Sequence, residues 1–332
     1  MKHGAGIYKM AKKLGCRSEE IVDFSSNVNA YMQKSELRLS DEEIVRYADS
    51  TYSELKTTIA KRYSIKKSQM ALFNGATSAI SELLRALDAE DVYLYAPLYG
   101  EYEVSAKEAN KRVHKINRFN ELYKKPKKSS IVVFVNPSTP DGKYYELKKL
   151  FKLWRERECS IILDESFLEF EALKSYRDEI RSYKKLYIVQ SFTKFYACAG
   201  VRVGAIFTHK KSIKKLYRPL WNLSAFDVAF LNERLKDDAF IEKSLQTHKE
   251  NKNELYKILK NSGLFSEIYK SDTNFFLVKS PRAKEIYEKL YRAGVLVRTC
   301  GSFDFLSDEY LRFGVKDKMM HSKLQKALKL IV

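Results

Sequence analysis

The stretch VQSFTKFYACAGVRVGAIF, residues 189–207, decides the fold of this chain. An apolar run ends at Ser191, a lysine follows three residues later at Lys194, and Arg202 lies eight residues beyond the lysine. A second apolar run closes the segment. We read Lys194 as projecting from the end of a buried strand, and α/β proteins bind ligands at such strand ends.

Short apolar runs of the same kind recur upstream and downstream of this turn. They are rich in Val, Ile, Leu and Tyr and lack strict alternation, which is typical of strands covered on both faces. Between them, ATSAISELLRALD places its apolar residues at helical spacing. The pattern predicts an α/β fold with a mainly parallel sheet. The runs are 70–73, 91–96, 131–135, 161–164, 186–190 and 203–207.

The C-terminal part of the sequence has a different pattern. It is helical from about residue 210 through residue 262, and short strand-like pieces then bracket two amphipathic helices. This predicts a small α+β subdomain against which the first 40 residues pack. The expected division is an N-terminal segment, a large ligand-binding domain and a small domain, at residues 1–40, 41–250 and 251–332.

The charge balance is strongly basic, with a formal net charge of +19 from 61 basic and 42 acidic residues. The basic residues form short scattered groups, such as KKPKK and HKKSIKK, and no single long block. Solvated lysine faces explain this distribution better than a nucleic-acid site does. We therefore expect no nucleic-acid partner, and the charge is compatible with attraction of a small anionic substrate.

The compartment is predicted from what the sequence lacks. No run of eighteen apolar residues and no apolar N-terminal segment occur, so we expect neither a membrane span nor a signal peptide. The four cysteines are scattered without a CxxC pair, which argues against a disulfide framework or a zinc site. We expect a cytoplasmic protein without a metal centre.

The chemistry of the lysine turn points to one cofactor. A lysine in a partly desolvated pocket has a lowered pKa and can form a Schiff base with an aldehyde. Ser191 and Thr193 offer hydroxyls beside it, and the guanidinium of Arg202 suits a phosphate. An aldehyde held by Lys194 and a phosphate held by the other three side chains together describe pyridoxal 5'-phosphate.

Other strand ends supply what this cofactor needs. Asp164 ends the buried run IILD, and its carboxylate can pair with the pyridine nitrogen. Gly75, Ala76 and Thr77 open an amphipathic helix, whose N-terminus suits the phosphate. Tyr99 follows another strand and can stack on the cofactor ring.

These motifs resemble those of the fold-type I, pyridoxal-phosphate-dependent aminotransferase family. SFTKFYACAGVRVG is similar to the signature S-x-[ST]-K-x(5)-G-x-R-x-G, LDESFLEF resembles D-E-[AS]-[YF], and VNPSTPDG resembles N-P-N-N-P-T-G. Order and spacing match over essentially the whole chain. KHGAGIYKMAKKLG and IVDFSSNVNA further resemble the branch of L-threonine-O-3-phosphate decarboxylase and histidinol-phosphate aminotransferase.

The resemblance implies a mainly parallel sheet of seven strands in the large domain and a role for each motif residue. Lys194 would bind the cofactor covalently, Asp164 would pair with its ring nitrogen, and Tyr99 would stack on its ring. Its phosphate would be bound by Gly75, Ala76, Thr77, Ser191, Thr193 and Arg202.

Further residues carry over to the substrate and to a second subunit. Tyr47 matches a tyrosine that reaches the other subunit's cofactor, which implies a homodimer with shared active sites. Arg312 would clamp the substrate carboxylate, and Asn27 would cover the site. His3 and Arg298 are candidates for a phosphate on the substrate.

The sequence departs from the family pattern at two positions near the cofactor's phenolic oxygen. Thr139 replaces the usual asparagine of the N-P-N-N-P-T-G loop, and Phe167 replaces the usual tyrosine. Thr139 can still donate one hydrogen bond, but both changes predict that this oxygen is held less firmly than in the family.

Three functions remain open at this point. The first is decarboxylation of L-threonine O-3-phosphate, or of a close phospho-amino acid, giving aminopropanol phosphate for cobalamin synthesis. The second is an aminotransferase for histidinol phosphate or an aromatic amino acid. The third is a regulatory or nucleic-acid-binding protein that has kept the fold.

Overall fold

The computed structural model describes residues 6–331. Its strands are β1 (Val22–Asp23), β2 (Met70–Asn74), β3 (Asp91–Ala96), β4 (Arg112–Asn117), β5 (Ile131–Val135), β6 (Ser160–Asp164), β7 (Leu186–Ser191), β8 (Val203–Thr208), β9 (Glu267–Ile268), β10 (Phe275–Lys279), β11 (Val295–Leu296), β12 (Arg298–Thr299) and β13 (Tyr310–Gly314). Its α-helices are α1 (Ile7–Leu14), α2 (Asp41–Val45), α3 (Ser53–Arg62), α4 (Gly75–Ala86), α5 (Glu101–Glu108), α6 (Lys148–Glu156), α7 (Lys210–Ile213), α8 (Ala225–Lys236), α9 (Asp238–Asn261), α10 (Ala283–Arg292) and α11 (Lys318–Lys329). None of these helices is both long enough and apolar enough to traverse a lipid bilayer.

The large sheet has seven strands in the order β2-β8-β7-β6-β5-β3-β4. All neighbours run parallel except β8, which is antiparallel to both β2 and β7. Every residue of β5, β7 and β8 is buried, because helices cover both faces of the sheet. The mainly parallel sheet predicted from the apolar runs is confirmed, and so are the seven strands that the family resemblance implies.

Strand β4 was not among the predicted runs. It forms the edge of the sheet beside β3, and Ile116 is its one fully buried residue. Two of its polar side chains are held by a carboxylate on β3, since Asp91 accepts a hydrogen bond from Arg112 at 3.0 Å and lies 2.8 Å from His114 Nε2. An edge strand with a solvated face has no continuous apolar run, so composition alone does not identify it.

The C-terminal strands form a smaller antiparallel sheet in the order β12-β13-β10-β9. Val297 separates β12 from β11. β11 does not join this sheet and pairs in parallel with β1, so part of the N-terminal segment lies against the C-terminal region. The division into three ranges drawn from the sequence stays a prediction.

The close approach of α4 to β8 depends on a glycine. A Cβ on Gly204 would lie 2.5 Å from the Ala76 nitrogen and 2.6 Å from the Gly75 carbonyl carbon. The Gly75 N–H donates to the Arg202 carbonyl oxygen at 3.0 Å across the same contact. Only a residue without a side chain at position 204 allows the start of α4 to meet the strand that follows the lysine turn.

We expect Gly204→Ala to displace the start of α4 and to lower the free energy of unfolding by about 1–3 kcal/mol, because the clash is with backbone atoms. Chemical denaturation measures this loss. Gly200→Ala is the control, since a Cβ there meets nothing within 4 Å. Equal stability of the two variants would contradict the packing argument.

Candidate active site

A cavity of about 390 Å³ lies where the carboxyl ends of the large sheet's strands face the small sheet. It combines a lysine, carboxylates, hydroxyls and three arginines from segments far apart in the sequence. The sequence-predicted residues that line it are Asn27, Ala76, Thr77, Tyr99, Thr139, Asp164, Ser191, Thr193, Lys194, Arg202, Arg298 and Arg312.

The amine of Lys194 is poised for reaction with an aldehyde. Burial lowers the pKa of Lys194 to about 8, and the positive charges of Arg312 and Arg202 act in the same direction. The carboxylate of Asp164 opposes this shift. A substantial fraction of the amine is therefore unprotonated, and thus nucleophilic, near neutral pH.

Asp164 is a buried carboxylate fixed by two donors. The Tyr102 hydroxyl donates to Oδ2 at 2.9 Å, and the Ser166 backbone N–H donates to Oδ1 at 3.0 Å. Burial raises the pKa of Asp164, while these hydrogen bonds and Lys194 lower it. Tyr102 is not among the site residues predicted from the sequence. Its signal, a tyrosine three residues after Tyr99 in the first turn of α5, is weak in a chain with 22 tyrosines.

The hydroxyls and the guanidinium of the lysine turn form a cradle suited to a phosphate. The Ser191 and Thr193 hydroxyl oxygens are 2.8 Å apart, and both residues line the cavity with Arg202. Gly75 has φ +74°, and a Cβ there would lie 2.6 Å from Arg202 Nη2. Gly75 thus makes room for the guanidinium at the start of α4 without lining the cavity. Two hydroxyls, a cation and a helix N-terminus fit a phosphate monoester.

Arg312 on β13 is a buried cation of the cavity wall, and two hydrogen bonds fix its guanidinium. It donates to the Thr139 hydroxyl oxygen at 3.0 Å and to the Ser25 carbonyl oxygen at 3.1 Å, and its guanidinium lies 5.0 Å from the Phe275 ring centroid. Burial lowers the pKa of Arg312 to about 10. Because Thr139 accepts from Arg312, the threonine's own O–H stays available as a donor toward the cavity.

Arg118 supports Thr139 from behind and was not predicted. This buried arginine donates to the Thr139 carbonyl oxygen at 3.3 Å and forms an ion pair with Asp141. Ser138 donates its hydroxyl to Asp141 at 2.7 Å. No local motif marks Arg118, since it lies more than twenty residues before the loop that it holds.

The N-terminal segment closes one side of the cavity. The Asn29 N–H donates to the Lys194 carbonyl oxygen at 2.9 Å, and the Asn27 carbonyl accepts from Asn274 at 2.8 Å. The Asn27 Oδ1 atom is buried without a partner within the described chain, although its residue lines the cavity. An unsatisfied acceptor here is available to a ligand donor.

Charged side chains also line the part of the cavity around Arg298. Arg298 donates to the Ser302 hydroxyl at 2.9 Å, and burial lowers its pKa. Lys115 bridges two carboxylates of the cavity wall, Glu103 at 2.8 Å and Asp304 at 2.7 Å. The second bridge joins β4 to a loop of the C-terminal region, a pairing across 189 residues that sequence patterns do not disclose.

Three predicted residues lie outside this cavity or outside the described chain. Gly75 backs Arg202 as stated above. Tyr47 is 80 % exposed and stacks on Trp221 with ring centroids 4.5 Å apart. His3 lies outside residues 6–331. Phe167, the replacement for a family tyrosine, does line the cavity, with its ring packed edge-on against Phe275.

An amine at a strand end, a fixed carboxylate near it and a phosphate cradle between helix and strand define a pyridoxal-phosphate-dependent enzyme of fold type I. The chain belongs to the aminotransferase class I and II family, whose profile matches residues 19–331. Pyridoxal 5'-phosphate is the cofactor of this family, and a structural neighbour from Sinorhizobium meliloti was solved in complex with it.

Similar proteins include an adenosylcobalamin biosynthesis protein and histidinol-phosphate aminotransferases. The chain is 28 % identical to the adenosylcobalamin biosynthesis bifunctional protein CobDQ of Leptospira interrogans, covering 97 % of this chain but only 40 % of that protein. It is 26 % identical to the histidinol-phosphate aminotransferase of Flavobacterium johnsoniae, covering 97 % of this chain and 96 % of that enzyme.

Similar solved structures include both an aminotransferase and a decarboxylase. The histidinol-phosphate aminotransferase of Clostridium acetobutylicum superposes with a TM-score of 0.82 at 28 % identity, covering 93 % of this chain and 98 % of that one. The L-threonine-O-3-phosphate decarboxylase of Porphyromonas gingivalis gives 0.79 at 22 % identity with the same coverages, a likeness of fold.

We expect Arg312→Gln to raise the pKa of Lys194, because the arginine's charge disfavours a second cation nearby. The pH dependence of cofactor uptake by the apoprotein measures this change. The uptake rate should rise with pH around the pKa of about 8 in the unaltered chain, and the midpoint should move up by about 1 in the variant.

Arg298→Gln is the matched control, since Arg298 is not among the charges that shift Lys194. Its midpoint should match that of the unaltered chain. An unmoved midpoint in Arg312→Gln would contradict the electrostatic account of the lysine.

Proposed function

We propose that this enzyme decarboxylates L-threonine O-3-phosphate or a closely related phospho-amino acid, giving aminopropanol phosphate for cobalamin synthesis. The observation that supports this most is the pairing of two buried arginines, Arg298 and Arg312, opposite each other on β12 and β13. Both line the cavity, and the charge of Arg298 further lowers the pKa of Arg312. Two adjacent buried cations favour a substrate with two anionic groups.

A phospho-amino acid carries a carboxylate and a phosphate, whereas histidinol phosphate carries only a phosphate. We assign the carboxylate to Arg312, which is fixed by Thr139 and Ser25. We assign the phosphate to Arg298 with Ser302, and the net charge of +19 would draw such an anion to the protein. The adenosylcobalamin relative supports the same choice.

The cofactor would be held by the residues that surround the lysine. Lys194 would bind its aldehyde, Asp164 would face its ring nitrogen, and Tyr99 would cover its ring. Its phosphate would occupy the cradle of Ala76, Thr77, Ser191, Thr193 and Arg202, in which Gly75 gives Arg202 its room. When bound, the cofactor supplies an electron sink for negative charge that develops at the substrate α-carbon.

The protein's own groups would then direct the chemistry. Lys194, with its lowered pKa, is able to give and take a proton at the substrate α-carbon. Arg312 would orient the substrate carboxylate, and Asn27 would exclude water and offer its free amide oxygen to a substrate donor. Orientation by these side chains selects between loss of carbon dioxide and loss of a proton.

An aminotransferase is the second candidate, and a specific observation favours it. The relatives from Flavobacterium johnsoniae and Clostridium acetobutylicum that cover nearly the whole chain are histidinol-phosphate aminotransferases. The same cavity, with Lys194 as the proton-transferring base, serves that reaction on histidinol phosphate or an aromatic amino acid.

We further propose that the enzyme is a cytoplasmic homodimer with shared active sites. Exposed apolar side chains cluster in sequence around Tyr47 and Trp221, and the two rings stack on each other. These side chains are Ile44, Val45, Tyr47, Leu220 and Trp221. The cysteines, all free and three of them buried, are compatible with a reducing compartment.

A carbon dioxide assay tests the reaction. We expect release from L-threonine O-3-phosphate with no 2-oxo acid present, and a rate at least about a hundredfold lower in Lys194→Ala, which lacks the proton-transferring amine. Arg298→Gln should raise KM about tenfold with a smaller effect on kcat, since it removes one charge-assisted bond to the phosphate. Transamination of histidinol phosphate without carbon dioxide release would replace the decarboxylase by the second candidate.

Sedimentation velocity tests the subunit arrangement. We expect a dimer for the unaltered chain and a shift toward monomer for Trp221→Asp, because a charge would then face an apolar contact. Lys214→Asp, which puts the same charge on an exposed position outside the apolar cluster, is the control. A monomeric unaltered chain would contradict the proposal.

A further inference from the structure

A carboxylate lies behind the lysine turn, on the side away from the cavity. Glu169 accepts hydrogen bonds from the Tyr196 hydroxyl at 2.9 Å, from Gln190 Nε2 at 3.1 Å and from the Tyr63 hydroxyl. The two hydroxyl oxygens of Tyr63 and Tyr196 are themselves 3.1 Å apart. One carboxylate thus accepts hydrogen bonds from three donors, which lie at the C-terminal end of α3, on β7 and in the turn itself.

The lysine turn is weakly held by its own backbone. The bonds from Ala197 N–H to the Lys194 carbonyl and from Cys198 N–H to the Thr193 carbonyl are long, at 3.4 Å and 3.3 Å. Ala197 has φ +52°, a left-handed conformation that costs free energy for a residue with a side chain. Anchors outside the turn must offset this cost.

Glu169 contacts the turn from both of its ends. Gln190 precedes Ser191 on β7, and Tyr196 follows Lys194 by two residues. The carboxylate therefore connects β7, which leads into the turn, with Tyr196, which lies two residues after Lys194. Tyr196 is buried and is not among the residues that line the cavity, so the contact serves the turn and not the ligand.

The charge state of this cluster favours the same arrangement. Burial raises the pKa of Tyr63 and of Tyr196 well above the ordinary value, so both phenols keep their protons and donate. Burial raises the pKa of Glu169, and the hydrogen bonds from the two phenols and the charge of Arg177 oppose this shift. The guanidinium of Arg177 lies 4.8 Å from the Tyr63 ring centroid.

We infer that Glu169 is a positioning residue for Lys194, acting through Tyr196 and Gln190. It touches neither the cavity nor a ligand site, and it fixes the turn so that the amine stays at the strand end. The inference rests on the proposed role of Lys194 as the cofactor-binding residue.

Two matched tyrosine variants test this role. Tyr196→Phe and Tyr63→Phe each remove one phenol from Glu169, but only Tyr196 belongs to the lysine turn. Amide hydrogen exchange of the full-length apoprotein should show about tenfold faster exchange for residues 192–199 in Tyr196→Phe, since a hydrogen bond between the turn and Glu169 is lost. Tyr63→Phe should leave exchange in these residues unchanged.

A second readout follows the amine itself. The midpoint of the pH dependence of cofactor uptake should move in Tyr196→Phe and in Glu169→Gln, and should stay in place in Tyr63→Phe. Glu165→Gln is a further control, because Glu165 is a buried carboxylate that contacts Ser175 and Tyr176 and no residue of the turn.

Equal effects of the two tyrosine variants, in proportion to their loss of thermal stability, would overturn the positioning role and leave Glu169 as a structural residue. The exchange measurement uses no substrate. Absence of carbon dioxide in the decarboxylase assay would therefore overturn the proposed substrate without affecting the contrast between the tyrosine variants.

Discussion

The structure depends on keeping one amine partly unprotonated inside a cavity that also contains three arginines. Burial and the charges of Arg312 and Arg202 lower the pKa of Lys194, and Asp164 is the carboxylate that opposes them. Such a concentration of cations is unfavourable in the free protein and becomes favourable when anions enter. The positive charge that makes the lysine reactive is therefore the same charge that suits a phosphorylated cofactor and an anionic substrate.

The sequence predicts those parts of the site that lie within a few residues of a single strand end or of a single helix start. Lys194 with Ser191 and Thr193, Asp164, and the Gly75–Thr77 turn are of this kind, because a strand end fixes the direction of the next few side chains. The packing role of Gly204 becomes clear only from the structure, which gives the distance from this position to Ala76.

The parts that the sequence does not predict are pairings between distant segments. Tyr102 with Asp164, Arg118 with Asp141, and Lys115 with Asp304 join residues 62, 23 and 189 positions apart, and neither periodicity nor a local motif connects them. Strand β4 was not predicted from the sequence for a related reason. A solvated edge strand is stabilised by its neighbour, here β3, and its sequence has no apolar run. Tertiary contact supplies what local composition lacks.

The pairing of β1 with β11 has a consequence for the order in which the molecule is completed. Residues 22–23 meet residues 295–296, and the Gly314 N–H donates to the Phe24 carbonyl at 2.8 Å. Residues 22–24 can therefore be fixed in place only after residues 295–314 have been synthesised, about a hundred residues later than Lys194. Until then the N-terminal wall of the cavity is not formed, and a nascent chain exposes its reactive lysine.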